Sequence, residues 1–290
     1  MDQRYVISGP IVEVGIESNT PDGHKQMLAR LASLASADPS FEFSPDPAVT
    51  VLKGQSEDQL DAIVRDLRAH ALEITVGAPQ ASYRECIVRL VEVDYTHKRQ
   101  SGGTGEFARV WLRLEPGEPN EDAIFVSEAG DTVPREFLPG VIEALAAFKR
   151  TGLLVGYPLI GFKATLLDGA YHEVDSSILS FKTATRCALH VVKERGAISL
   201  LEPVMALDVT ISNEFHDAVV RDLSARAGQV DAGNFEINAL VPLAGVLGYR
   251  GRLAQLTEGK GTFVMRYSHH AIASHPDGPD RFGPAATMRA

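Results

Sequence analysis

The chain has 290 residues, 44% of them hydrophobic and 23% charged, the proportions of an ordinary globular protein long enough for two or three domains. Acidic side chains outnumber basic ones 38 to 28, for a formal net charge of −10, which excludes a protein held on nucleic acid by a broad basic surface and allows only local RNA contact. Cys86 and Cys187 are the only cysteines, too few for a disulfide framework or a Cys-based zinc site. The first residues lack a secretory signal, and the apolar run at 152–162 is too short to span a bilayer, so a soluble cytoplasmic chain without a membrane partner is expected.

The elements follow from periodicity. Val12, Val14 and Ile16 alternate as a half-buried strand. Thr20 can cap and Pro21 can open a helix whose stripe is Met27, Leu28, Leu31, Leu34 and Ala35, with Asp38-Pro39 as its stop. Short strands at 41–43 and 49–52 precede a second helix, which starts with a capping box from Ser56 to Gln59 and carries Leu60, Ile63, Val64 and Leu67. Leu72, Ile74 and Val76 close a βαββαβ order, the split arrangement of a ferredoxin-like domain, over residues 10–76.

Residues 77–198 read as a different α+β domain, with long strands at 81–94 and 107–115, a strand at 159–167, and helices at 139–151 and 177–194. Two of its loops stand out, Lys98-Arg99-Gln100-Ser101-Gly102-Gly103-Thr104-Gly105 and Asp168 to Asp175. Over 199–270 the βαββαβ order returns: strands at 205–211, 229–230, 235–241 and 262–267, a helix from about 213, and a helical stretch at 243–256. Residues 271–290 have the Pro and Gly content of a flexible tail.

Each motif has a bland alternative. Gly259-Lys260-Gly261-Thr262 lacks the spacing of a phosphate loop, so it predicts a turn, and GTP binding by this chain is not expected. The glycines at 102–105 let backbone N–H groups approach phosphates, but a hairpin turn explains them as well. His172, Asp175, Ser176 and Ser177 include the residue types of a hydrolase triad, yet triads converge through a fold rather than along one turn, and Asp175 or Ser176 fits a helix cap better. His269, His270 and His275 read as solvated rather than as a metal site. No catalytic constellation, metal site or cofactor site emerges.

Taken in order, Ser82-Tyr83-Arg84-Glu85, Arg99-Gln100-Ser101-Gly102-Gly103, Val133-Pro134-Arg135-Glu136 with Pro139, Tyr157-Pro158, Asp168-Gly169 with Tyr171 to Ser177, Leu200-Leu201-Glu202-Pro203, and Val241-Pro242-Leu243 with Gly248-Tyr249 resemble the C-terminal half of bacterial elongation factor G, the ribosomal translocation factor. The resemblance covers roughly residues 10–270. It implies an α+β chain in which two ferredoxin-like domains, like the family's third and fifth, flank an elongated fourth domain similar to the second domain of ribosomal protein S5. It implies no GTPase domain. It also implies a tip that contacts ribosomal RNA, and tRNA and mRNA at the decoding region, through Lys98, Arg99, Gln100, Ser101, Gly102, Gly103, Thr104, Gly105, His172 and Asp175.

Departures fall on contact surfaces. The family's Gly-Met-Gly-Glu-Leu-His-Leu-Glu run reads Gly54 to Asp61 without the histidine. Arginine, glutamine and arginine of the family stand here as Thr104, Glu106 and Ala227, which removes two cations and adds one anion. A ribosome-associated module is the leading expectation. A non-translational interaction or small-ligand scaffold and a hydrolase centred on His172 are the competing ones.

Overall fold

The computed structural model describes residues 4–45, 49–101, 104–233 and 236–273. Two compact units form, one from the residues up to Ser82 together with Glu202–Ala271, the other from Tyr83–Leu201.

In the first unit the N-terminal half contains β1 (Val12–Ser18), α1 (Pro21–Ala37), β2 (Glu42–Ser44), β3 (Thr50–Gly54), α2 (Glu57–Ala69), β4 (Ile74–Val76) and β5 (Gln80–Ala81). The sheet order β2-β3-β1-β4, with β5 also on β1, is that of a ferredoxin-like fold. The alternation seen in the sequence sets the faces: Val12, Val14, Ile16 and Leu52 are buried, as are Met27 and Leu31 of α1 and Leu60, Val64 and Leu67 of α2. Each such side chain contributes about 1.5–3 kcal/mol by leaving water. The predicted caps are present. Thr20 Oγ1 accepts from Gly23 N at 3.0 Å and Ser56 Oγ from Gln59 N at 3.2 Å. The reciprocal bond of the second cap goes to Gln55 N, at 2.7 Å from Gln59 Oε1, rather than to Ser56.

The second unit contains β6 (Arg84–Ile87), β7 (Val91–Ser101), β8 (Thr104–Pro116), β9 (Ile124–Ser127), α3 (Leu138–Thr151), β10 (Leu159–Ile160), β11 (Phe162–Ala170), α4 (Ile178–Glu194) and the start of β12 (Ile198–Thr210). Strands β7-β8-β11-β9 form one sheet, and its face with Val93, Val110, Leu112 and Leu166 shares a core with Val141 of α3 and Phe181 and Leu189 of α4. The single strand expected at 81–94 is broken into β5, β6 and β7. Residues 98–101 and 104–105, expected as loop, continue the β7/β8 ladder in register Lys98↔Phe107 to Ser101↔Thr104. Likewise β11 runs through Asp168, Gly169 and Ala170 past an irregularity in its pairing with β8 between Leu166 and Asp168.

At the base of this unit β10 runs parallel to β6, and β6 pairs antiparallel with residues 198–201 of β12. Glu85 in β6 is fully buried. Its Oε2 accepts from Leu153 N and Leu154 N at 2.5 and 2.9 Å, and its Oε1 from Val155, Gly156 and Tyr157 N at 3.0, 3.1 and 3.2 Å. Five main-chain donors around one carboxylate supply the partners that a buried charge requires. The loop can wrap this closely because Gly152 turns at φ +62°, where a Cβ would stand 2.0 Å from Tyr157 O and 2.5 Å from the Glu85 carboxyl carbon.

The C-terminal half of the first unit comprises the rest of β12, α5 (His216–Ala225), β13 (Gln229–Ala232), β14 (Glu236–Pro242), α6 (Leu243–Val246), α7 (Tyr249–Leu256) and β15 (Thr262–Ile272). The order β13-β14-β12-β15 repeats the ferredoxin-like pattern, so the chain is α+β with two such halves and a different module between them in sequence. The expected helix over 243–256 is two helices, divided at Gly248 with φ +69°. Glu57 of α2 accepts there from Gly248 N at 3.1 Å, which gives the diverged 54–61 run a structural role within this unit.

Strand β15 reaches Ile272 instead of stopping at Tyr267. His269 and His270, expected in solvent, are buried. The reason is a partner from the other end of the chain: Tyr5 N donates to His270 O at 2.9 Å and His270 N to Tyr5 O at 2.5 Å. His275 and the rest of the expected tail from 274 lie outside the described residues. Among the described residues no helix is long and apolar enough to cross a membrane.

Candidate nucleic-acid interface

The far end of the second unit is made by the β7/β8 hairpin and by the segment that joins β11 to α4. Gly102 and Gly103, the glycines expected at the turn, lie outside the described residues, and so do the side chains of Ser101 and Thr104. Below them Gln100 faces Gly105, Arg99 faces Glu106 and Lys98 faces Phe107.

Three of the expected residues come together here. Asp175 Oδ1 accepts from Gly105 N at 3.1 Å, while Asp175 Oδ2 lies 3.3 Å from His172 Nδ1. The main chain adds two links, because Phe107 N donates to Asp175 O at 2.8 Å and Ser176 Oγ to Phe107 O at 2.7 Å. Ser176 Oγ in turn accepts from His172 N at 2.9 Å. These bonds carry strand-like pairing beyond the end of β11, so the His172 segment is attached to the hairpin along its edge. His172 itself stays accessible, with its side chain 57% exposed.

The helix-cap role expected for Asp175 or Ser176 belongs instead to Ser177, whose Oγ accepts from Ser180 N at 3.1 Å while Ser180 Oγ accepts from Ser177 N at 2.9 Å. A reciprocal Ser-Ser box leaves the two preceding residues available for the hairpin. His172, Asp175 and Ser176 therefore meet, but Ser176 faces main chain rather than His172 Nε2, and no nucleophile and base are aligned as a triad requires.

The cations do not share one face. In a pleated strand neighbours alternate, so Lys98 and Gln100 project on the side of Gly105, where a Cβ would meet Asp175, and Arg99 projects on the side of His97 and Glu106. Glu106, the acidic departure noted in the sequence, is engaged: His97 Nε2 lies 2.8 Å from its Oε2. Among the described residues Lys98 and Arg99 make no ion pair. Farther down the sheet the arginines are occupied, Arg109 by Asp94 at 2.5 Å and Asp168 at 3.3 Å, and Arg113 by Glu92 at 2.7 Å. Hydrogen bonds from Thr132 and the Gly169 main chain, with the Arg109 charge, hold the Asp168 carboxyl below the usual carboxylate range. Of the cations on this sheet, Lys98 and Arg99 at the hairpin end and Lys163 in β11 are without an ion pair among the described residues.

Phe107 is not legible as a site residue, since it acts through its main-chain N–H and C=O; Ser176 reads in the sequence as a cap or triad residue type and Glu106 as a changed contact position, neither of them as a partner at the hairpin. A glycine placed after the turn, at position 105, is the one sequence signal that something approaches closely there.

Among the described residues no cluster of His, Cys, Asp or Glu is arranged to hold a metal ion. Family models bear on the same regions: the one described as elongation factor G, domain IV matches residues 79–196, and the one described as elongation factor G C-terminus matches 199–277. Residues 79–196 and 199–277 are elongation factor G-type domains. Curated elongation factor G proteins of Rhodopseudomonas palustris (strain BisB18) and Cereibacter sphaeroides (strain KD131) are each 41% identical to it, over 273 and 270 residues. Those alignments cover 91% and 90% of this chain but 40% and 38% of the relatives, so the chain spans about two fifths of their length. A crystal structure of a Thermus thermophilus protein superposes with a TM-score of 0.61 at 32% identity, covering 92% of this chain and 41% of that one. The chain is accordingly similar to the part of elongation factor G that holds domain IV and the C-terminus.

Proposed function

We propose that this module associates with the ribosome and contacts RNA through the hairpin end and the His172 segment. In this reading it recognises ribosomal RNA, and tRNA and mRNA near the decoding region, by shape and a few short-range contacts, and any GTP hydrolysis is supplied by another domain or chain. The observation that carries it is the convergence of Gly105, Asp175 and an exposed His172 on the one end of the sheet where Lys98 and Arg99 are not neutralised. A net charge of −10 repels phosphate at long range, so affinity must come from these few groups.

The test is co-sedimentation with ribosomes over a series of salt concentrations. Wild type should bind, His172→Ala and Lys98→Ala/Arg99→Ala should bind more weakly at unchanged melting temperature, and the double variant should lower the log-log salt slope by about 1–2. Because Lys98 stands on the Asp175 side, Lys98→Ala should account for more of the loss than Arg99→Ala. Wild-type binding untouched by all of these changes would remove the tip from the reading. No wild-type binding at low salt would favour a non-translational scaffold.

A further inference from the structure

An acidic side chain at the centre of an RNA-facing tip is electrostatically unfavourable, and yet Asp175 sits there, about one third exposed. Its two oxygens are directed at different segments: Oδ1 receives the Gly105 N–H of the hairpin at 3.1 Å and Oδ2 faces His172 Nδ1 at 3.3 Å. We infer that Asp175 is a positioning residue, one that sets His172 against the hairpin so that the two segments meet RNA as a single preformed surface. This rests on the ribosome-binding reading above and assigns Asp175 a role inside the tip rather than on RNA.

Three further observations support it. The Gly105 N–H points away from β7, on the side where β8 has no strand partner beyond β11, so without Asp175 that donor has no acceptor among the described residues. A Cβ at Gly105 would stand 2.8 Å from Asp175 Cγ and 2.9 Å from its Oδ1, so the position is kept open for this carboxylate. Finally, Val174 N and Asp175 N each donate to His172 Nδ1 at 3.3 Å, so the main chain of Asp175 orients the ring while its side chain ties the same residue to Gly105, and Nε2 is left as the edge free to reach an oxygen of a nucleotide. Ordering these groups in advance spares the complex part of the entropy of fixing them on contact.

The sign of one substitution separates this role from simple electrostatics. If Asp175 acted only as a negative charge near phosphate, Asp175→Ala and Asp175→Asn would both strengthen binding. Positioning predicts that Asp175→Ala weakens ribosome binding on the order of tenfold, the scale of a lost charged hydrogen bond. Asp175→Asn, whose amide oxygen still accepts from Gly105, should stay close to wild type. The double variant Asp175→Ala/His172→Ala should be no weaker than the worse single variant, because both act through one unit.

Amide exchange followed by NMR on the full chain reads the same role without the ribosome. Gly105 N–H should exchange faster in Asp175→Ala and stay protected in Asp175→Asn, with melting temperatures checked for all variants. Tighter binding by Asp175→Ala, or unchanged Gly105 exchange in that variant, overturns the inference while the ribosome-binding reading stands. Failure of wild type to bind ribosomes removes that reading and the inference with it.

Discussion

Two carboxylates do related work at opposite ends of the second unit. Glu85 is buried and collects five main-chain N–H groups from one loop, whereas Asp175 is partly exposed and collects one, from a neighbouring segment. Burial makes the difference. At the base no water can replace the acid, so the loop 153–157 and Glu85 depend on each other. At the tip, water can reach both partners, so the bond fixes geometry while adding little to stability.

The contrast can be broken most strongly at Glu85. Glu85→Ala leaves five donors in a dry site and should cost about 3 kcal/mol or more, seen as a shifted denaturation midpoint, with Glu85→Gln losing less because one acceptor remains. Asp175→Ala should move the same midpoint by less than about 0.5 kcal/mol. Equal losses at the two sites would erase the distinction.

A smaller effect separates the two glycines. Gly152 has φ +62°, with a Cβ site 2.0 Å from the Tyr157 carbonyl oxygen, so Gly152→Ala should cost about 2 kcal/mol or more through strain and displaced main chain. The atoms that oppose a Cβ at Gly105 belong to the end of the Asp175 side chain, which can swing outward. Gly105→Ala should therefore cost under about 1 kcal/mol in stability and act mainly on binding.

The smallest effect concerns pH. Asp168, in β11 just before the His172 segment, has a folded pKa below its unfolded value. Its contribution is thus complete above the unfolded pKa, near 3.9, and is lost as pH falls through the depressed folded value. Chemical denaturation between pH 5 and pH 2 should show a shallower acid loss for Asp168→Asn than for wild type. Identical slopes would mean that the Arg109 and Thr132 contacts do not persist in solution.

Much of the fold was legible because it is periodic. The stripes of α1 and α2, the caps at Thr20 and Ser56, and both ferredoxin-like orders are local patterns. The Glu85 site was not legible beyond its place in a recognisable run, because its five partners are main-chain N–H groups that any sequence possesses. Lys98 to Ser101 read as loop since the stretch has neither apolar alternation nor high strand propensity; the ladder of β7 and β8 imposes its conformation. Asp175 and Ser176 read as caps because the competing demand, the free edge of Gly105 and Phe107, lies about 70 residues away in sequence. His269 and His270 were misread for a similar reason.

That last pairing has a temporal side. Tyr5 and His270 bond each other from positions 265 apart, so Tyr5 must wait for a partner synthesised much later. At a synthesis rate of about 5–20 residues per second the delay is roughly 13–50 s. During that interval Tyr5 and the segment reaching Ile7, whose N–H is taken by the Tyr267 hydroxyl at 3.0 Å, lack their native acceptors. The N-terminal ferredoxin-like half can close its own sheet soon after Ala81 leaves the ribosome. The C-terminal half can complete its outer edge only when β15 emerges and meets a segment made about 265 residues earlier. Nascent chains arrested at successive lengths and probed by protease should then show early protection of 12–76 and protection of 4–8 only once residue 270 has cleared the exit tunnel.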